Sequence, residues 1–275
     1  MPRTLREVVF VDGVRTPFGK AGDKGIYAQT RADDLVIRCI RELIRRNPQL
    51  PKDRVGEVAI AATTQIGDQG LTLGRLASLL AGLPNTTPGY SIDRMCAGAM
   101  TAVTTAASSI AFGAIDIAVA GGVEHMGRHP MGEGIDPNPR IVSERIVDQT
   151  ALVMGKTAEN LHDRFPQLTK ARSDAYAVGS QNKLQAAYAA GKIQPDLVSV
   201  ATRHKDLGFG LATADEPPRP GTTIEDLGLL KTPFRAHGNV TAGNSAGLND
   251  GATALSLIHI SEPTRRTPIS YAVFC

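Results

Sequence analysis

Short apolar runs and amphipathic stretches alternate along the first half of the chain. Val8 to Asp12 reads as a buried strand followed by a glycine-bearing loop. From about Arg31 to Arg46, Val36, Ile40, Leu43 and Ile44 form a stripe at helical spacing. Thr30 and Asp33 suit a capping box, and Arg45 and Arg46 sit in the last turn before Asn47-Pro48. Cys39 falls on that stripe and is expected in the core. The rhythm continues with a strand at 58–62, a helix at 73–80 closed by Gly82, a strand at 89–93, a helix from about Ala97 and a strand at 115–120. Strands that alternate with helices predict parallel pairing, right-handed crossovers and helices covering a sheet, an α/β layered core.

After Gly121-Gly122 the texture changes to Pro, Gly and charge. Two helices stand out, one near 157–165 and one that Thr169 caps and Gly191 closes, with no clear run of alternating strands. Residues 121 to about 240 therefore read as an inserted subdomain of helices and loops. A segment of that length outside the βα rhythm usually shapes a binding site.

Composition narrows the function classes. The 275 residues can bury a large core, and 42% hydrophobic with 21% charged residues is a globular balance. Thirty Lys and Arg against 27 Asp and Glu leave a net charge of +3 with no basic stripe, which argues against nucleic acid. The charged N-terminus lacks the apolar core of a signal peptide, and Cys39, Cys96 and Cys275 form neither a disulfide framework nor a zinc pattern. Both features predict a cytoplasmic protein.

From Met95 to Ile115 there is no charged side chain. The run is mostly Ala, Thr, Ser and Gly, too poor in large apolar residues for a membrane span, so a helix buried inside the protein is expected. Cys96 stands where a strand ends and this helix begins, beside free backbone N–H groups and the positive end of a helix dipole. A thiol there can be a nucleophile or simply a small core residue, and local sequence leaves both readings open. Gly98 would let a substrate approach closely. Other motifs fail: GVRTPFGK has the wrong spacing for a phosphate loop, no Gly-x-Gly-x-x-Gly opens a helix, and Pro130 with nearby glycines argues against His125 and His129 sharing a helix face, so no metal site is assigned.

The chain resembles the thiolase family through VVFVDGVRTPFGK, IDRMCAGAMTAV, DIAVAGGVEHM, VMGKTAENL, DEPPRPGTT and KTPFRAHGNVTAGNSAGLNDGATAL, in family order from about residue 7 to 255. The segments GEGIDPNPR and DEPPRPGTT look most like bacterial 3-ketoacyl-CoA thiolases of fatty-acid β-oxidation. The resemblance implies a thiolase-like layered αβαβα fold, here an incomplete first half with an inserted loop domain. It divides the chain into 1–122 (α/β domain with the catalytic cysteine), 123–240 (CoA-binding loop domain), 241–255 (return to the α/β domain) and a non-family tail at 256–275.

It further implies that Cys96 attacks the 3-keto carbon of a 3-ketoacyl-CoA, expels acetyl-CoA and carries the shortened acyl group as a thioester until CoA removes it. By similarity Met154 lines the pantetheine tunnel, Arg219 stacks on the adenine, and Phe234, Ala242 and Ala246 wall the thiol arm. NVTAGNSAGLNDGA is itself small and glycine-rich, suited to a thin amide-bearing ligand. CoA is a co-substrate and no permanent cofactor is implied. A homo-oligomer is implied for the full-length family member, with a β-oxidation multifunctional protein as a partner. The alternatives are an acetoacetyl-CoA thiolase and a non-catalytic CoA-binding fragment.

Three departures stand out. The family usually carries Asn where Asp93 stands, and Ser where Ala246 stands with Ala before it; here the order is Ser245-Ala246, so no bond to CoA is assigned to Ser245. The family's Gly-His-Pro histidine and Cys-x-Gly cysteine have no counterpart, since Arg128-His129-Pro130 lies in the loop region and Cys275 has no glycine after it. From about residue 256 the sequence SLIHISEPTRRTPISYAVFC shows no strand or helix period long enough to finish a layer and resembles a translated sequencing adapter. The chain as given is expected to be inactive alone.

Overall fold

The computed structural model describes residues 5–204 and 208–259. Its strands are β1 (Val8–Arg15), β2 (Gly19–Lys20), β3 (Val55–Ala61), β4 (Gly89–Ile92), β5 (Ile117–His125), β6 (Val200–His204), β7 (Gly208–Ala212) and β8 (Asn249–His259). Its helices are α1 (Ala32–Arg46), α2 (Leu73–Leu80), α3 (Gly98–Ala111), α4 (Arg140–Ser143), α5 (Met154–Arg164), α6 (Lys170–Ala189) and α7 (Ile224–Gly228). Six strands make a sheet of order β1-β8-β5-β3-β4 with β2 beside β8; β6 and β7 form a separate antiparallel pair. As the alternation predicts, β3 runs parallel to both β4 and β5.

The chain folds as two compact units. Among the described residues, one gathers those up to Val14, Val36–Val123 and those from Thr253 to His259; the other gathers the rest. Residues 15–35 and 241–252, which the sequence places with the α/β domain, thus cluster with the loop region.

Small residues let the first unit close up. Ala102, Ala106 and Ile110 of α3 are buried against Ala59 of β3, Ala118 and Ala120 of β5, and Leu257 of β8. Val36, Cys39, Ile40 and Leu43 of α1 are buried as the helical stripe predicts. Under α2 the sheet backbone comes so near that a Cβ on Gly74 would lie 2.2 Å from the Tyr90 carbonyl oxygen and 2.5 Å from that of Val58. In the second unit, Thr169 caps α6 by accepting the Arg172 N–H, and Gly191 follows the helix at φ +67°.

Five expectations change. The strand at Val8 to Asp12 is not buried: Phe10 and Val11 are exposed and β1 buries only Val14. β5 does not stop at Ala120 but continues through Gly121-Gly122 to His125, because a Cβ at Gly121 would meet the Thr253 carbonyl oxygen at 2.1 Å: those glycines allow strand contact. The inserted region holds a two-stranded ribbon as well as helices. α3 is buried on one face only, with Met100 and, just past its end, Phe112 exposed. A strand period does continue past 255, since Ala254, Ser256 and Leu257 of β8 are buried and the strand runs to His259. The expectations for residues 260–275, Cys275 included, lie outside the described residues.

Candidate functional site

Cys96 lies in a single 3-10 turn, Met95–Ala97, that joins β4 to α3, so the α-helix itself begins two residues later at Gly98. Its thiol is free and exposed. The Ala97 N–H donates to the Arg94 carbonyl at 3.1 Å and the Gly98 N–H to the Met95 carbonyl, so the turn brackets the cysteine. Met95 just before it has φ +49°, a left-handed conformation that costs a non-glycine residue about 1–2 kcal/mol. Its N–H donates to Asp93 Oδ1 at 2.9 Å. Gly98 is buried, and a Cβ there would lie 2.9 Å from Ala61 Cβ. The missing side chain therefore serves helix-to-sheet packing, which corrects the expectation that it admits substrate.

The remaining candidates all fall in the second unit. Met154 opens α5 and is 69% exposed. The Phe234 ring covers Gly155, the residue after Met154, where a Cβ would come within 2.3 Å of three ring carbons. Ala242 and Ala246 are exposed on a loop whose shape is fixed by side chains: the Thr241 N–H donates to Asn244 Oδ1 (2.8 Å), and Asn244 Nδ2 donates to Asp174 Oδ1 and to the Asn239 carbonyl, both at 2.9 Å. Arg219 is exposed, with its backbone N–H held by Gln181 Oε1 at 3.0 Å. Ser245 is likewise exposed.

Sequence reasoning missed the carboxylates that shape these loops. Glu159 is buried and accepts the N–H groups of Asn239 and Val240 at 2.9 Å. Burial pushes its carboxyl up, but the bonds from Val240 and Asn239, with Arg235 and His162 nearby, outweigh this and hold it below the ordinary range. Asp215 takes a two-pronged bond from Arg15 (2.7 and 2.9 Å), the Tyr188 hydroxyl (2.7 Å) and the Phe18 N–H (2.7 Å). Burial opposes its ionisation, yet Arg15 and Tyr188 prevail and its pKa is lowered. Glu216 accepts the N–H groups of Lys20 (2.8 Å) and Ile26 (3.0 Å). These residues lie inside VMGKTAENL and DEPPRPGTT, the only signal that pointed to them.

His125 and His129 do not share a ligand position. The buried His125 ring pairs through Nε2 with the Tyr27 carbonyl at 3.0 Å and accepts the Arg128 N–H at Nδ1, whereas His129 Nδ1 faces Glu133. Asp250, buried beside His125, has its pKa raised by desolvation and accepts the Gly127 N–H at 2.9 Å. Among the described residues no group of three or more His, Cys, Asp or Glu is placed to hold a metal ion. Nor is any described helix long and apolar enough to cross a membrane.

A family model described as thiolase, N-terminal domain, matches residues 8–261. The chain belongs to the thiolase family. It is 39% identical over 272 residues to a beta-ketoadipyl-CoA thiolase of Pseudomonas putida, covering 92% of this chain and 66% of that protein. It is 37% identical over 252 residues to a 3-ketoacyl-CoA thiolase of Cronobacter sakazakii, covering 91% and 64%. In structure it matches the Bacillus anthracis acetyl-CoA acetyltransferase at TM-score 0.80 and 32% identity, over 93% of this chain and 66% of that one. Human mitochondrial 3-ketoacyl-CoA thiolase matches at TM-score 0.80 and 27% identity, over 94% and 67%. This thiolase chain therefore spans about two thirds of the length of those relatives, and the α/β fold class expected from its sequence holds. The match through 261 also passes the expected family boundary at 255.

Proposed function

We propose that Cys96 is the acyl-accepting nucleophile of a thiolase that cleaves 3-ketoacyl-CoA with CoA, yielding acetyl-CoA and a shortened acyl-CoA. The observation that carries this is an exposed free thiol held in a short turn between a strand and a helix, after a left-handed residue, in a chain of the thiolase family. In that reaction the Cys96 sulfur gives up its proton and bonds to the 3-keto carbon, the bond between the 2- and 3-carbons breaks with its electron pair left on the 2-carbon, and that carbon takes up a proton and departs as acetyl-CoA. A second CoA thiol then takes the acyl group from the sulfur. Met154, Arg219, Phe234, Ala242 and Ala246 are proposed to contact CoA. Support for this comes from the glycine-rich loop at 241–247 and from the Phe234 ring lying on Gly155.

Bromoacetyl-CoA tests nucleophile and CoA recognition together without requiring turnover. In the full chain the Cys96 sulfur should displace bromide from the reagent and form a thioether, faster than with bromoacetamide and with protection by free CoA; equal rates, or label on another residue, would refute the proposal.

The relatives separate two acyl classes. Straight-chain substrates of fatty-acid β-oxidation are the first reading; a dicarboxylic substrate is the second, because the Pseudomonas putida relative is named for beta-ketoadipyl-CoA. Protection of Cys96 by 3-ketohexanoyl-CoA against protection by 3-oxoadipyl-CoA distinguishes them, and strongest protection by acetoacetyl-CoA would instead favour the short-chain class to which the Bacillus anthracis neighbour's name points.

A further inference from the structure

We infer that Asp93 is the positioning residue of Cys96: its carboxylate oxygen latches the left-handed turn at Met95, and what position 93 must supply is a hydrogen-bond acceptor. This rests on the reading of Cys96 as the nucleophile.

Both ends of the connection are pinned to one residue of β3. Ile92, the last residue of β4, is the register partner of Ala61, and its carbonyl accepts the Ala62 N–H at 3.2 Å. Gly98, the first residue of α3, is buried with Ala61 Cβ in the space its own Cβ would need. Residues 93–97 must therefore turn an extended chain into a helix over a fixed short span. The turn is made at Met95, φ +49°, after Arg94 at φ −147° and ψ 40°.

Methionine has no intrinsic reason to adopt that conformation, and the residue is 58% exposed, so burial does not hold it there. The bond from the Met95 N–H to Asp93 Oδ1 closes the loop just where the backbone is strained, as Asp and Asn side chains do two residues ahead of themselves. Asn at this position would offer the same Oδ1 with an added amide donor. The contact seen here uses only the acceptor, so Asp93 meets the geometric requirement. Once the turn is set, the two bonds bracketing Cys96 follow.

The test compares wild type, D93N, D93A, M95G and the D93A/M95G double variant in the full chain, with two readouts. Amide hydrogen exchange at Met95 reads the latch itself; the ratio of Cys96 labelling by bromoacetyl-CoA to that by bromoacetamide reads aim, since the small reagent needs no orientation. In D93A the Met95 amide should exchange roughly tenfold faster, the size expected for losing one such bond, and the labelling ratio should fall. D93N should restore both. Glycine accepts positive φ without cost, so the effect of D93A should shrink in the M95G background.

Unchanged exchange and ratio in D93A, D93N behaving like D93A, or equal D93A effects in both backgrounds would overturn the inference. If wild type shows no preference for the CoA reagent, the nucleophile reading falls, while exchange at Met95 still decides for or against the latch.

Discussion

The two units hold their loops in place by opposite means. In the first, the turn carrying Cys96 is pinned by apolar contact: small residues on α3 and β3 press together, glycine stands where backbones nearly touch at Gly74 and Gly121, and one side-chain bond holds the strained residue. In the second, long stretches without regular structure are held by acids, with Glu159, Asp215 and Glu216 each accepting backbone N–H groups from distant loops. Packing can position a compact nucleophile. A ligand-sized loop surface has few apolar contacts to spare, and buried carboxylates satisfy its backbone donors instead.

Breaking each device should have a different signature. The largest effect is expected from Gly74→Ala, whose Cβ would press on two sheet carbonyls that cannot move independently; a loss of about 3 kcal/mol should appear in denaturant melts. The matched change in the second unit, Gly155→Ala, presses first on the Phe234 ring, a side chain and not backbone, so it should cost clearly less stability while weakening protection of Cys96 by CoA. Glu159→Gln comes next: with its oxygen at the Oε1 position that accepts both N–H groups, the amide places its NH2 where Oε2 accepted the Asn239 N–H, and a loss of about 2 kcal/mol is expected, with faster exchange at 238–244.

Acid should sharpen the contrast. Glu159 and Asp215 have folded pKa values below their unfolded ones, near 4 for ordinary carboxyls, so their stabilisation is complete above about pH 5 and lost as pH falls through the depressed folded values. Amide protection, corrected for intrinsic exchange, should therefore decline in loop 238–244 before it declines in β3. Loss in β3 first would contradict the contrast. The smallest effect belongs to Cys96→Ala, which removes an exposed thiol and should leave the melting temperature within about 0.5 kcal/mol equivalent of wild type.

That same division explains what the sequence could reveal. α1, with its stripe of Val36, Ile40 and Leu43, and α2, at 73–80, are legible because apolar periodicity and end signals report burial directly. The end of β5 was not, since Gly121-Gly122 reads as a break until the close approach of Thr253 is seen. Nor did any period announce Glu159 or Asp215, because a carboxylate serving loop N–H groups has partners about 80 and 200 residues away and leaves no local pattern. Cys96 lay between: its position at a strand-to-helix junction was readable, but the strain at Met95 and the answering bond from Asp93 were not.

The central claim is that this turn presents Cys96 as a nucleophile toward a CoA-linked carbon. Peptide-resolved mass spectrometry after bromoacetyl-CoA treatment tests it most directly. The account predicts a thioether on Cys96 through the reagent's methylene carbon, carrying CoA or, after hydrolysis of its thioester, a carboxymethyl group, that free CoA suppresses, with the buried Cys39 unmodified; label at Cys96 that CoA does not suppress, or no label there at all, would contradict it.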